Sequence, residues 1–209
     1  MENKLEAIIF DLGGVIIDLD YNKTINAFKS IGKKDFEHLY SQAQQVGLFN
    51  DLEIGAITPE VFRVGLNELL KENYSDQIID EAWNKMLLKV PNHRIEFLES
   101  IGKKYRIFLY SNTNAIHYEA FRNQIEKDFQ NINLLEELFE QTYYSHILGK
   151  RKPHGDSFQH ILDEQNLTAS KTLFIDDSIQ HIEGAQSIGL NVIHLVDQEV
   201  EDAVTSYLS

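Results

Sequence analysis

The sequence predicts an α/β protein: a Rossmann-like parallel sheet with helices on both faces, plus an all-helical cap inserted after the first strand. Three observations predict it. Short continuous apolar runs recur along the chain, and such runs read as strands buried on both faces of a parallel sheet. Segments of helical spacing lie between them, the alternation of an α/β fold. From 20 to 88 the alternation stops and only helical spacing remains.

The first strand is Ala7-Ile8-Ile9-Phe10, ending at Asp11. In the helical stretch, Thr58-Pro59-Glu60 reads as a helix start. Thr58 can cap, Pro59 suits the first turn, and Glu60 favours the positive end of the helix dipole. Phe62, Leu66, Leu69 and Leu70 share one helical face, and Ile79, Ala82, Trp83 and Met86 another. Pro91 closes the stretch. Strands follow at Arg106-Ile107-Phe108-Leu109-Tyr110, Thr172-Leu173-Phe174-Ile175 and Asn191-Val192-Ile193-His194-Leu195, with Thr142-Tyr143-Tyr144 a weaker one. The division expected is a catalytic core of residues 1–18 and 90–209 and a cap of residues 19–89.

The 209 residues suit one domain with an insertion. The absence of cysteine excludes disulfides, a thiolate nucleophile and thiolate metal ligands. The net charge of −14 argues against a nucleic-acid partner. It also means that a phosphate site needs local positive charge, from a metal ion or from focused Lys and Arg. The N-terminus lacks the features of a signal peptide, and no apolar run approaches a membrane span, so a cytoplasmic protein without a membrane partner is expected.

Four polar signals stand at the ends of strands, where open parallel sheets bind ligands. Asp11-Leu12-Gly13-Gly14-Val15 places a carboxylate before two glycines that permit a tight turn and close ligand approach. Alone, Asp11 reads better as a turn cap. Held in a phosphate site, it could attack phosphorus. Ser111-Asn112-Thr113-Asn114 offers hydroxyl, amide and helix-start N–H donors, or a plain N-cap. Lys150-Arg151-Lys152-Pro153 supplies the required cations, although Lys150 reads better as a solvated turn residue. Asp176-Asp177 after a buried strand calls for neutralisation, which a hard divalent cation provides.

This ordered set resembles the haloacid dehalogenase superfamily on its phosphatase side. The opening Asp11-Leu12-Gly13-Gly14-Val15, with Ser111-Asn112, His117 and Lys152-Pro153, looks closest to a glucose-1-phosphate phosphatase-like subgroup. The resemblance implies Mg2+ as cofactor and a small phosphorylated metabolite, a sugar phosphate, as substrate. It implies that Asp11 is the nucleophile and that Asp11, the Gly13 carbonyl and Asp177 hold the metal. Ser111, Asn112, Gly14 and Lys152 are then implied to bind the phosphoryl group, with Lys152 also paired to Asp176. A monomer or dimer is expected.

The superfamily's phosphatases usually carry a second Asp two residues after the nucleophile, which moves the proton of the leaving group. Here that position is Gly13, and general acid–base help is worth about 10²–10⁴ in rate. Asp18, Asp20 and His117 are the candidate replacements, each with a plainer reading: hinge-turn residues for the acids, a helix-surface residue for His117. Glu53, in a Gly-containing loop between helices, is expected to line the pocket. His38, His93, His154 and His181 show no ligand spacing. Two other functions fit parts of the pattern: a carbon–halogen hydrolase of the same superfamily, and a phosphometabolite-binding protein without turnover.

Overall fold

The computed structural model describes residues 5–33, 36 and 47–209; His38 and the extreme N-terminus lie outside them. Five strands form one sheet: β1 (Ala7–Phe10), β2 (Arg106–Ser111), β3 (Gln141–Tyr144), β4 (Thr172–Asp176) and β5 (Asn191–His194). Their order is β3-β2-β1-β4-β5, and every pairing is parallel. β1 is therefore central, with Phe10 level with Leu109 on one side and Ile175 on the other. This register brings Asp11, Ser111 and Asp176 to the same edge of three neighbouring strands. The Asp11 N–H donates to Ile175 O at 2.9 Å, so the Asp11 backbone is anchored to β4.

Alternate strand residues enter opposite layers, as the pleat requires. Ile8, Phe10, Ile107, Leu109, Leu173 and Ile175 pack in one apolar cluster; Ala7, Ile9, Phe108, Tyr110 and Phe174 pack in another. Burying each such aliphatic side chain contributes about 1.5–3 kcal/mol. β5 differs from the sequence expectation, since its side chains are half-buried or exposed. It is an edge strand with a neighbour on one side only, so its apolar run did not require burial on both faces.

The segment after β1 carries α1 (Tyr21–Ser30), α2 (Leu48–Glu53), α3 (Pro59–Leu70) and α4 (Asp76–Trp83), closed by a 3₁₀ turn at Asn84–Met86. Asp20 caps α1 through Asn22 N–H at 3.0 Å, and Thr58 caps α3 through Val61 N–H at 3.4 Å. The faces of α3 and α4 meet in a third cluster of Phe28, Phe49, Leu52, Phe62, Trp83 and Met86, joined by Ile116 from the core. The chain enters and leaves this segment on two antiparallel passes. Asp18 N–H donates to Lys89 O at 3.1 Å, Leu88 N–H to Asp18 O at 3.0 Å, and Asp20 N–H to Met86 O at 2.9 Å.

The remaining helices flank the sheet: α5 (Asn92–Ile101), α6 (Ala115–Phe129), α7 (Leu134–Leu138), α8 (Ser145–Leu148), α9 (Gly155–Gln165), α10 (Ile179–Ser187) and α11 (Val200–Leu208). Side chains of α5, α6 and α11 join the first cluster, and those of α9 and α10 the second, so both faces are covered. Among the described residues, no helix is long and apolar enough to cross a membrane.

Candidate active site

At the sheet's carboxyl edge, Lys152 is fully buried and its ammonium is shared three ways. It donates to Asp11 Oδ1 at 2.7 Å, to Asp176 Oδ2 at 2.7 Å and to Tyr110 O at 3.0 Å. The loop that carries it is held from two sides. Asn112 Oδ1 accepts from Lys152 N–H and Asn112 Nδ2 donates to Lys152 O, both at 3.0 Å. On the other side α10 packs close because Gly184 has no side chain; a Cβ there would lie 2.2 Å from Pro153 O.

Asp11, Asp176 and Asp177 have carboxylate oxygens within 4.8 Å of one another. Burial pushes the Asp11 carboxyl up to about 7, with Lys152 opposing the rise and Asp176 adding to it. Burial also acts to raise Asp176, but Lys152 and His181 outweigh it and hold that carboxyl at about 2. Burial and the Asp176 charge raise Asp177. Three acids thus face one ammonium, an excess of negative charge that a hard, oxygen-seeking dication would balance. The donor set fits magnesium, and Gly14 makes room for the Asp177 carboxylate: φ is +74°, and a Cβ would fall 2.2 Å from Asp177 Oδ2.

A cavity of about 280 Å³ opens over this cluster. Its floor includes Asp11, Gly13, Ser111, Asn112 and Asp177 from the core. Its opposite wall comes from the helical segment: Leu19, Phe49, Leu52, Glu53, Trp83 and Met86. Ser111 is buried at the end of β2 and lines the cavity. Gly14 lies behind Asp177 rather than on the cavity lining.

Several expectations need correction. Asp18 does not reach the cavity; its Oδ1 accepts from Arg94 Nη1 at 2.8 Å, which ties it to α5. His117 lines the cavity but is no helix-surface residue. It is buried against Trp83, with ring centroids 5.1 Å apart. Its Nδ1 meets Asn114 Nδ2 at 3.2 Å and its Nε2 meets Trp83 O at 3.3 Å. Burial pushes its pKa down to about 4, so it is neutral with both ring nitrogens engaged, a poor proton carrier. Asn112 lines the cavity, yet its amide oxygen and nitrogen are both engaged by the Lys152 backbone.

His181, which shows no ligand spacing in the sequence, stands at the site. Its Nδ1 lies 2.9 Å from Asp176 Oδ1, and the ring lines the cavity. The signal was positional: it stands on the first turn of the helix after Asp176-Asp177, where a side chain turns back toward the strand end. Arg151 was noted only as one of three cations. Its Nη1 lies 3.1 Å from both Asn50 Oδ1 and Glu53 Oε2, linking core to α2. Lys150 pairs instead with Asp156 at 2.8 Å, on the surface.

The fold and this carboxylate–lysine edge belong to one family: the chain is a haloacid dehalogenase-like hydrolase, and the family match runs over residues 5–189. Among solved structures, it is similar to the HAD family enzyme bt-2542 of Bacteroides thetaiotaomicron, with TM-score 0.86 and 32% identity over 97% of this chain and 98% of that one. The wild-type form of that enzyme in complex with magnesium and inorganic phosphate matches with TM-score 0.83 and 34% identity, over 93% and 96% of the two chains. A curated relative is D-ribitol-5-phosphate phosphatase of the same organism, 27% identical over 88% of this chain and 89% of its own length.

Proposed function

We propose that the chain is a magnesium-dependent phosphomonoesterase for a small phosphorylated sugar or polyol, working through an aspartyl-phosphate on Asp11. The observation that carries it is Asp11 itself: a buried carboxylate at the centre of the sheet, paired to Lys152, beside two further acids, facing the cavity. The relatives named above add the substrate class and the metal.

In this reading Asp11, the Gly13 carbonyl and Asp177 hold the metal, and Asp176 holds Lys152 in place. Magnesium supplies charge neutralisation at the transferring phosphoryl group. Asp11 attacks phosphorus while Lys152 and Ser111 stabilise the phosphoryl oxygens. Residues 19–89 act as a cap whose apolar wall excludes water and whose few polar groups meet the leaving alcohol. A cavity of about 280 Å³ suits a metabolite and not a protein substrate. Phosphorylated polyols and sugars, with magnesium, should release inorganic phosphate. Release should vanish with chelator and in Asp11→Asn. Turnover that survives Asp11→Asn would sink the mechanism; binding without turnover in the wild type would favour a phosphometabolite-binding protein. Halide release from haloacids without metal would favour carbon–halogen hydrolysis.

A further inference from the structure

Gly13 leaves the reaction without a group to protonate the departing alcohol, and the three sequence candidates are accounted for elsewhere. Asp20 caps the first helix of the segment through Asn22 N–H and does not line the cavity. Asp18 is held by Arg94, and His117 is neutral with both nitrogens engaged. His181 is committed through Nδ1 to Asp176, on the core side. In-line displacement places the leaving oxygen opposite the nucleophile. Asp11 forms the floor, so the leaving oxygen faces the wall built by Leu19, Phe49, Leu52, Glu53, Trp83 and Met86. Glu53 is the one carboxyl group on that wall among the described residues.

Its environment suits the task. Glu53 Oε2 is sealed from solvent and accepts no hydrogen bond among the described residues, although Arg151 Nη1 lies 3.1 Å away. Burial raises its carboxyl above the ordinary Glu value, with Arg151 and then Lys152, the charged groups bearing on it, pulling the other way. A carboxyl group on a mostly apolar wall, with burial acting against its charge, is placed to exchange a proton with a group bound in the cavity.

We propose that Glu53 is the general acid and base of this enzyme, standing in from the cap for the carboxylate missing at position 13. This rests on the phosphatase reading above. In the first step Asp11 Oδ bonds to phosphorus, the phosphorus–alkoxide bond breaks, and the Glu53 proton passes to the alkoxide, giving the alcohol and a Glu53 carboxylate. In the second, water attacks the aspartyl-phosphate, its proton returns to Glu53, and the phosphorus–Asp11 bond breaks to give inorganic phosphate.

The test compares D-ribitol 5-phosphate, a poor leaving group, with 4-nitrophenyl phosphate, a good one that needs no acid. kcat/KM reports steps up to release of the alcohol; kcat includes hydrolysis of the aspartyl-phosphate. In Glu53→Gln, with magnesium, kcat/KM for the ribitol ester should fall about 10²–10³-fold, while for the aryl ester it stays within about threefold. kcat for the aryl ester should nevertheless fall, with aspartyl-phosphate accumulating, because the water step has lost its base. The aryl kcat/KM also shows that the variant is folded. Equal losses for both esters, unchanged kcat/KM for both, or a change confined to KM overturns the proposal. Wild type that hydrolyses neither ester overturns the phosphatase reading and this proposal with it.

Discussion

Two glycines and one lysine set what the site tolerates. At Gly14 the backbone is left-handed, and a methyl group would collide with the Asp177 carboxylate at 2.2 Å. Gly14→Ala should therefore weaken magnesium by roughly 10–100-fold, the usual effect of disturbing a ligand's support, read as the metal concentration for half-maximal phosphate release. At Gly13 the obstruction is different: φ is permissive, and an added Cβ meets only the tip of Leu19, at 2.6 Å. Leu19 fills the space where an acidic side chain would stand, so Gly13→Asp should be tolerated better with Leu19→Ala than alone, measured as thermal stability. Lys152→Met leaves Asp11 and Asp176 buried without their ammonium, and should cost about 3–5 kcal/mol in denaturant unfolding. The sequence made Asp11 and the Asp176-Asp177 pair legible because each stands at the end of a buried strand, and Lys152 because it stands in a run of cations before a proline. The double duty of Asn112 was not legible, since a Ser-Asn pair looks the same whether its amide faces a ligand or a neighbouring backbone.

At the scale of elements, the strands were readable because β1, β2 and β4 are covered on both faces and so are continuously apolar. β5 shares that composition without that burial, because edge position depends on sheet order, which local pattern does not encode. α3 was legible to the residue from Thr58 and Pro59. α6 was not: His117 on its first turn looked solvent-facing until α4 set Trp83 against it. That packing has a measurable consequence. The folded protein holds His117 near 4, while an unfolded His takes a proton near 6.5. Between those values the unfolded state binds a proton that the folded state refuses, so stability falls as pH drops from above 6.5 to 4. The contribution of this one group is about 3 kcal/mol. Urea unfolding at pH 7 and pH 4 should show a smaller loss in His117→Gln than in wild type; an equal loss would mean that His117 is not the group responsible.

Over the whole molecule, a net charge of −14 and a phosphate site are reconciled by position. The site holds more acids than ammonium groups, so Lys152 and Arg151 at the sheet's edge, together with a bound dication, would supply the positive charge there. The two units are joined by the antiparallel passes near Leu19 and Leu87 and, across the cavity mouth, by Arg151 on Asn50 and Glu53. Sequence pattern could mark a helical segment but not this link, because it joins residues about a hundred positions apart. The Arg151–Glu53 pair is partly exposed, so Arg151→Ala should cost no more than about 1 kcal/mol of global stability. Locally it should matter more, with amides of α2 exchanging faster while those of β1 keep their protection. It should also act on the proton at Glu53. Arg151 is the stronger of the two cations that pull this carboxyl down, so removing it lets the carboxyl rise further. A general acid is active while protonated, so the alkaline fall in kcat/KM for the ribitol ester should move to higher pH in Arg151→Ala. The same variant should leave the aryl-ester profile unmoved, since that leaving group takes no proton. A shift of both profiles together would trace the effect to the cap's position and not to Glu53.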